Sequence, residues 1–304
     1  MSDREAGAFD DPKSGLAVLP QYLMPKQAMT ALAGAFARSN SGAVTTAAIR
    51  RFIARYGVNM AEAALPDPTA YASFNDFFTR ALKPGARPVA SADLVSPVDG
   101  AISQLGRIEA GRIFQAKGHH YSASALLGGD DALAAHFHHG HFATLYLSPK
   151  DYHRIHMPCA GRLLRMVHVP GDLFSVNPTT ARGVPGLFAR NERVVCVFDG
   201  VVDARGASGS SKGPWVLVLV GATIVGSMAT VWHGVVNPPR PGNVREWRYD
   251  TQPALDLAQG VEMGRFLLGS TVVMLFPPGP LSFSPGWVAA APIRMGQAMA
   301  QWGA

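Results

Sequence analysis

The first sixty residues carry apolar side chains at the spacing of a helix. Residues 20–38 and 44–56 each predict an α-helix, the first with Pro25 near its start. In the second segment the apolar residues recur at i, i+3, i+4 and i+7, so they share one helical face. These residues are Ile49, Phe52, Ile53 and Tyr56.

The basic residues of the second helix lie off its apolar stripe. They are Arg50, Arg51 and Arg55, and residues 12–61 contain six basic residues and no acidic one. Such a helix can lie in a membrane interface. It can equally pack on a protein core and leave its basic face in water. The pattern alone leaves both interpretations open.

From about residue 94 the pattern changes to short apolar runs separated by glycine, proline or polar residues, which predicts β-strands. Two stretches, 213–236 and 266–293, contain no charged residue and are long enough to cross a bilayer. Glycine, proline and β-branched residues interrupt them, so buried strands are the better interpretation. We expect an α+β fold, with a mostly antiparallel body behind the helical N-terminal segment.

Composition adds few constraints. Apolar residues make up 48% of the 304 residues, so the core is large, and the net charge of +6 favours an anionic partner. The apolar content of the basic segment favours lipid over nucleic acid. The two cysteines, Cys159 and Cys196, form neither a disulfide framework nor a zinc set, which indicates a reducing compartment. The polar, acidic start predicts no secretory signal.

Three residues supply the parts of a catalytic triad. Asp99 lies in an Asp-Gly turn, His153 follows an apolar strand in "DYHRIHMP", and Ser270 lies between two apolar runs. In extended chain His153 and His156 point to opposite faces. Asp99, His153 and Ser270 are an acid, a base and a nucleophile, the three components of such a triad. However, no G-x-S-x-G motif surrounds Ser270, which argues against an ordinary serine hydrolase.

A histidine tract offers a different chemistry. Clustered histidines can bind a metal, but no cysteine or acidic residue close by completes a ligand set. We expect a polar turn there and no metal site. The tract consists of His136, His138, His139 and His141.

Nine sequence blocks, in the same order, resemble one family: the bacterial, membrane-associated, pyruvoyl-dependent phosphatidylserine decarboxylases. The resemblance runs over nearly the whole chain. The blocks are "YLMPK" (22–26), "FNDFFTRALKPGARP" (74–88), "DGAISQLG" (99–106), "QAKGHHYS" (115–122), "YLSPKDYHRIHMPCAG" (146–161), "VPGDLFSVNP" (169–178), "LFARNERVVCVFD" (187–199), "LVGATIVGSMATVW" (219–232) and "MGRFLLGSTV" (263–272).

The resemblance implies that the chain cuts itself between Gly269 and Ser270, giving a β chain 1–269 and an α chain 270–304. Ser270 then becomes a pyruvoyl group, so neither pyridoxal phosphate nor a metal is expected. His153 would be the base that activates the serine hydroxyl, with Asp99 orienting its ring. Gly269 would tolerate an unusual backbone conformation and leave room for attack.

The same resemblance implies decarboxylation of phosphatidylserine to phosphatidylethanolamine and CO₂, with the pyruvoyl carbonyl as the electron sink. His153, or His156 as the second candidate, would protonate the reacting carbon. Ser175 would contact the substrate carboxylate. A backbone N–H near Thr271 would stabilise an oxyanion.

A lipid substrate implies a membrane-bound enzyme. Residues 1–66 would then form a membrane-associating segment, docked through Arg50, Arg51, Arg55 and Phe52, and residues 67–304 the catalytic domain. We expect a peripheral protein on the cytoplasmic side of the inner membrane, with no nucleic-acid partner. The α and β chains would stay associated, because 35 residues are too few to bury a core, and the resemblance implies a homodimer.

Three alternatives remain from the sequence. An Asp/His/Ser hydrolase acting on lipid or peptide would keep its chain intact and react with a serine-directed phosphonate. A non-enzymatic membrane-binding module would show neither cleavage nor labelling. A zinc enzyme built on the histidine tract would contain metal.

Overall fold

The computed structural model describes residues 18, 20–22, 24–202, 213–223, 227–240, 242–250, 253–269 and 271–303. Ser270, the residue at the centre of the sequence-based hypothesis, lies outside the described residues. Its two chain neighbours, Gly269 and Thr271, are described.

Seven α-helices from Lys26 onward and a short 3₁₀ turn, Pro68–Ala70, lie in the described part of the chain, and residues 20–22 before them are also helical. The helices are α1 (Lys26–Arg38), α2 (Ala43–Tyr56), α3 (Phe74–Phe78), α4 (Ala123–Leu126), α5 (Asp131–Ala135), α6 (Pro178–Gly183) and α7 (Leu187–Arg190). Both predicted N-terminal helices are confirmed. Residues 20–22 are helical too, but the predicted helix 20–38 is interrupted at Met24 and Pro25, and α1 begins at Lys26. A residue that precedes a proline disfavours the helical conformation, which explains the break.

The apolar face of α2 packs against α3. Ile49 is fully buried, and the Phe52 ring lies 5.1–6.0 Å from the rings of Phe74, Phe77 and Phe78. Phe52 is half-buried, and this packing joins α2 to α3, so the expected membrane contact of Phe52 stays a prediction. The three arginines of α2 are exposed, as the helical pattern predicts.

Eighteen strands lie within the described residues, and every pairing between them is antiparallel. They are β1 (Leu94–Val95), β2 (Gly100–Arg107), β3 (Arg112–Ala116), β4 (His119–Ser122), β5 (His141–Tyr146), β6 (Arg154–His156), β7 (Ala160–Val169), β8 (Arg193–Val202), β9 (Trp215–Val220), β10 (Met228–Thr230), β11 (Gly234–Asn237), β12 (Arg245–Arg248), β13 (Asp256–Leu257), β14 (Glu262–Phe266), β15 (Thr271–Phe276), β16 (Leu281–Phe283), β17 (Pro292–Ile293) and β18 (Ala298–Trp302). The predicted α+β class, with mostly antiparallel sheets, is confirmed.

The main sheet has nine strands in the order β12-β7-β8-β9-β15-β5-β2-β17, with β13 also paired to β7. A four-stranded sheet has the order β11-β10-β14-β6, a three-stranded sheet β1-β18-β16, and β3 pairs with β4. Strand β15 lies in the middle of the main sheet, between β9 and β5.

Both faces of the main sheet are covered, which explains the long stretches without charge. Leu217 and Leu219 of β9 face one core, and Val216, Val218 and Val220 face the other. All of these side chains are fully buried. A strand buried on both faces reads as a continuous apolar run. The charge-free stretches are therefore buried strands, as predicted, and none of the helices described is both long and apolar enough to cross a bilayer.

Candidate active site

Three neighbouring strands of the main sheet, β2, β5 and β15, begin or end at the same end of the sheet. The last residue of β5, Tyr146, pairs with Ala101 near the start of β2 and with Thr271 at the start of β15. Because adjacent antiparallel strands run in opposite directions, this register places Asp99 and residue 271 at one end of the sheet. Two of the predicted site segments therefore converge through strand pairing alone.

His153 has one hydrogen-bonded ring nitrogen and one without a partner. Nδ1 lies 2.8 Å from the carbonyl oxygen of Asp151. A carbonyl only accepts, so Nδ1 carries the proton and Nε2 holds a lone pair. Nε2 is buried and has no hydrogen-bond partner among the described residues. Burying an acceptor without a hydrogen bond costs about 1–3 kcal/mol, which points to a function for this atom.

The lone pair of His153 lies beside Gly269. A Cβ placed on Gly269 would lie 3.1 Å from Nε2 and 3.7 Å from the ring of Phe78. The Phe78 and His153 rings are themselves 4.1 Å apart. Gly269 does not have the positive φ that favours glycine, so the expected unusual conformation is not found. The absence of a side chain instead leaves the room that the imidazole occupies.

Burial keeps the His153 ring neutral. The side chain is fully buried, and this desolvation lowers its pKa from 6.5 to about 3. The bond to the Asp151 carbonyl opposes the shift, and the positive charge of Arg80 adds to it. A neutral imidazole with a free lone pair is the form that a general base requires.

Asp99 does not contact His153 in the described residues, which differs from the predicted triad. Its carboxylate accepts from Arg87 Nε at 2.8 Å and from the backbone N–H of Met295 at 2.8 Å. This ion pair raises the pKa of Arg87. The guanidinium is planar and matches a carboxylate with two donors, so it holds Asp99 in place of the imidazole. The ring of His153 is oriented by a backbone carbonyl instead.

His156 lies on the opposite side of its strand from His153, as the period of an extended chain predicts. Its Nδ1 donates to the carbonyl of Gly260 at 2.8 Å, and its Nε2 accepts from the Tyr152 hydroxyl at 3.1 Å. Burial lowers its pKa. Both ring nitrogens are therefore engaged, whereas His153 keeps one free.

Two cavities flank this sheet edge and share Tyr146 and Asn177. One, of about 380 Å³, is mainly apolar. It brings together two predicted residues, Ser175 and Gly269, with side chains from α1, α2 and α3, among them Phe36, Phe52 and Phe78. The other, of about 640 Å³, has a mixed lining, and we name it the polar cavity for the charged side chains within that lining. Its lining includes Arg80, Arg87, Asp99, Asp151 and Tyr152.

The surroundings of the two remaining predicted residues, Thr271 and Ser175, do not indicate a specific role. Thr271 is fully buried, and its hydroxyl has no partner among the residues described. The Ser175 backbone N–H donates to Gln21, and its hydroxyl lies 3.4 Å from the Asn177 backbone N–H. Both fit a turn as well as a binding site, so their roles stay predictions.

The histidine tract does not assemble a metal centre. Three of its members are exposed, and His141 is buried with Nε2 bonded to the Gly279 carbonyl. Across the described residues, no three His, Cys, Asp or Glu side chains form a group that could hold a metal ion. Cys159 and Cys196 are buried and unpaired, as expected.

Sequence reasoning missed the two arginines that surround the site. Arg87 binds Asp99, and Arg80 lies close enough to His153 to shift its pKa. Both occur in the block "FNDFFTRALKPGARP" that carried part of the family resemblance. That block was the available signal, although nothing within it distinguishes a site arginine from a surface one.

Comparison with known proteins identifies the family. The family profile described as "Phosphatidylserine decarboxylase" matches residues 74–301, and a second, described as "PSD", matches residues 16–57. A phosphatidylserine decarboxylase proenzyme of Variovorax paradoxus (strain S110) is 71% identical over 300 residues, covering 99% of this chain and 98% of the relative. Proteins of the same name from Polaromonas sp. and Delftia acidovorans are each 70% identical, covering 94% of this chain and 98% and 97% of their own lengths.

These matches define the class first: the chain is an enzyme, a carboxy-lyase. It belongs to the phosphatidylserine decarboxylase family. The resemblance recognised in the nine sequence blocks is confirmed.

The depressed pKa of His153 makes a prediction for stability. The unfolded chain takes up a proton below pH 6.5, and the folded chain does so only near pH 3. The free energy of unfolding should therefore fall as the pH decreases from 6.5 towards 3, by about 2 kcal/mol at pH 5 from this group. Urea denaturation of an uncut Ser270→Ala chain, with and without His153→Asn, measures it. The His153→Asn chain should lose less stability on acidification, whereas the exposed His139→Asn control should match its parent.

Proposed function

We propose that the chain is a proenzyme that cuts itself between Gly269 and Ser270. In this proposal the pyruvoyl group formed from Ser270 then serves the decarboxylation of phosphatidylserine to phosphatidylethanolamine and CO₂. The observation that carries the proposal is the unpartnered Nε2 of a neutral, buried His153 beside Gly269. Family membership and the name "proenzyme" among the relatives support it.

The cleavage uses the chain's own groups. His153 Nε2 accepts the Ser270 hydroxyl proton while the oxygen attacks the Gly269 carbonyl carbon, and the amide becomes an ester. A base then removes the Cα proton of Ser270, and the ester oxygen leaves with the Gly269 carboxylate. The dehydroalanine that remains hydrolyses to a pyruvoyl group and ammonia. The missing Cβ of Gly269 lets the imidazole approach the bond that breaks.

The described residues fit a pyruvoyl group at position 270. The orphaned His153 Nε2 lies beside Gly269, the residue that precedes position 270, and Gly269 also lines the apolar cavity. The group supplies an electron sink for the carbanion left by CO₂. His153 then carries a proton to the reacting carbon, since a base that took a proton in the first reaction can return one in the second. His156 is the second candidate for this step.

Strand pairing should keep the two product chains together. Between residues 271 and 303, β15 pairs with β5 and β9, β17 with β2, and β18 with β1. Val272 and Met274 of β15 are fully buried in the core. Separation would break all of these ladders and expose the core, so a cut beside β15 leaves a folded enzyme.

The two cavities suit the two parts of a phospholipid. The apolar cavity reaches from Gly269 to α1 and α2, so it can receive the glycerol and acyl parts while the amine reaches residue 270. Ser175 lines this cavity and is our candidate contact for the substrate carboxylate. The polar cavity can receive the charged parts of the head group.

We further propose that residues 1–66 dock on an anionic membrane, with residues 67–304 as the catalytic domain. Leu32 and Phe36 of α1 and Val44 and Tyr56 of α2 are exposed apolar residues, at 74%, 47%, 60% and 41%. The α2 arginines are exposed too. Attachment on the cytoplasmic side of the inner membrane and a homodimer rest on family membership alone.

Intact mass spectrometry tests the proposed cleavage. The wild-type protein should give two chains, one ending at Gly269 and one beginning with a group that has lost ammonia. Ser270→Ala should give one chain, and His153→Asn should slow cleavage at least 100-fold, because a general base contributes about 10²–10⁴-fold. If His156→Asn blocks cleavage and His153→Asn does not, the roles of the two histidines are reversed. An uncut wild-type chain that reacts with a phosphonate would favour a serine hydrolase.

Gly269→Ala tests the space beside His153. The new Cβ would lie 3.1 Å from Nε2, so the imidazole must shift away from the bond that breaks. We expect cleavage at least tenfold slower, measured by gel densitometry after synthesis. Gly286→Ala is the matched control, because nothing lies within 4 Å of its Cβ and its φ is not positive. Equal rates in the two variants would contradict this explanation.

Charge reversal tests membrane docking. Replacing Arg50, Arg51 and Arg55 by Glu should weaken sedimentation with anionic vesicles, since each basic residue near the surface contributes about 1 kcal/mol. The matched variant reverses three other exposed arginines, Arg107, Arg112 and Arg248. It has the same net charge and should keep most of its binding. Equal losses in both variants would mean that net charge, and not the α2 surface, drives binding.

A further inference from the structure

Arg80 is a buried cation that forms no salt bridge with any residue that the structure describes. It follows α3, and only 4% of its surface is exposed. Its Nη2 donates to the backbone carbonyls of Lys150 at 3.1 Å and Asp151 at 3.4 Å. Its Nε and Nη1 have no hydrogen-bond partner among the described residues. Burying a charge without a counter-ion is unfavourable, and desolvation lowers the pKa of Arg80 accordingly.

The carbonyl of Asp151 joins Arg80 to His153. The same oxygen accepts from His153 Nδ1 at 2.8 Å and from Arg80 Nη2 at 3.4 Å. The carbonyl decides which ring nitrogen of His153 carries the proton, and hence that Nε2 faces Gly269 as a lone pair. Arg80 Nη2 holds this carbonyl and that of Lys150 in place.

The charge of Arg80 also acts on the ring. Arg80 and the backbone of Asp151 are the groups that shift the His153 pKa besides burial, and the other neighbours of the ring are Phe78 and Gly269. The acidic side chains nearest to Arg80 are already engaged. Asp99 is bound by Arg87, and the Asp151 carboxylate accepts from the Ser148 hydroxyl and N–H at 2.7 Å. The charges of Asp151 and Asp99 offset that of Arg80 only in part, because neither carboxylate binds it directly, and its positive field still lowers the pKa of His153.

We propose that Arg80 is a positioning residue for the reaction. It fixes the carbonyl that orients His153, and it supplies the positive charge that disfavours protonation of the ring. Both effects keep Nε2 available to accept a proton. This inference rests on the proposed function of His153 as the base.

The chain contains a matched control arginine. Arg154 follows His153 directly, and its Nε donates at 2.8 Å to the carbonyl of Thr79, the residue before Arg80. However, Glu262 neutralises its charge at 2.9 Å. Arg154→Met therefore disturbs the contact between the segments around residues 80 and 153, but the charge that it removes is one already paired with a carboxylate.

Nitrogen-15 NMR of the histidines, in an uncut Ser270→Ala chain, tests the proposal. It measures both the tautomer of His153 and the midpoint, the pH at which the ring is half protonated. The His153 signals are assigned as those that are absent from the spectrum of His153→Asn. In the parent, Nδ1 should carry the proton and the midpoint should lie near the bottom of the folded pH range. Arg80→Met should raise the midpoint by about one unit or more and populate the other tautomer. Arg154→Met should change neither.

Arg80→Gln separates the two effects and is a second neutral variant should Arg80→Met fail to fold. Its amide can still donate to the Asp151 carbonyl, so the midpoint should rise while the tautomer is kept. Arg80→Lys, which keeps the charge, should restore the low midpoint. In the cleavable chain Arg80→Met should slow cleavage at least tenfold, and Arg154→Met less than twofold.

The outcomes distinguish this inference from the proposed function. A folded neutral variant with an unchanged His153 midpoint and tautomer would overturn the role of Arg80, even if the wild-type chain cuts normally. A wild-type chain that never cuts would overturn the proposed function, while the titration of the uncut chain would still report on Arg80.

Discussion

The hydrogen bond from His153 Nδ1 to the Asp151 carbonyl is the interaction on which the site depends. It is made within three residues of chain, yet it decides that the proton lies on Nδ1 and the lone pair on Nε2. Complete burial then removes the competing protonated form. With the opposite tautomer the same ring in the same place would present an N–H to Gly269 and could not act as a base. Backbone geometry at residues 150–153, more than the side chain of a distant acid, sets the chemistry.

A second constraint is that the cut must not unfold the protein. A cut within a paired strand would disrupt a small sheet, because it would expose backbone N–H and C=O groups that had been hydrogen-bonded. Here the proposed cut lies just outside the ladder, before Thr271, and β15 is flanked on both sides and buried on both faces. The cohesion of the main sheet therefore allows bond breakage next to its centre. It would also keep residues from both proposed product chains, His153 and those after 270, in one site.

The sequence predicted the elements of this fold better than their contacts. Helical spacing located α2 to within one residue, and the charge-free runs were correctly assigned to strands buried on both faces. The position of α1 was less accurate, because Pro25 acts on its local backbone rather than on the apolar pattern. Residue types made a triad possible, and the family resemblance implied that Asp99 orients His153. Residue types do not show which of two donors a carboxylate binds. Here Arg87, with two N–H donors in one plane, binds Asp99, and His153 does not. Likewise, no pattern could show that a backbone carbonyl orients the imidazole.

The two arginines of the site illustrate how compensation decides the effect of a buried charge. Arg87 is neutralised by Asp99 and Glu62, so its influence is local and structural. Arg80 lies beside the same cavity, with no carboxylate bound to it among the described residues, and its charge acts on neighbouring ionisable groups. Tyr71 and His153 are among them. In the proposed mechanism the site needs a neutral imidazole, and a nearby cation without a bound carboxylate favours that form. The stability lost by burying Arg80 in this way would be the physical cost of holding His153 in its basic form.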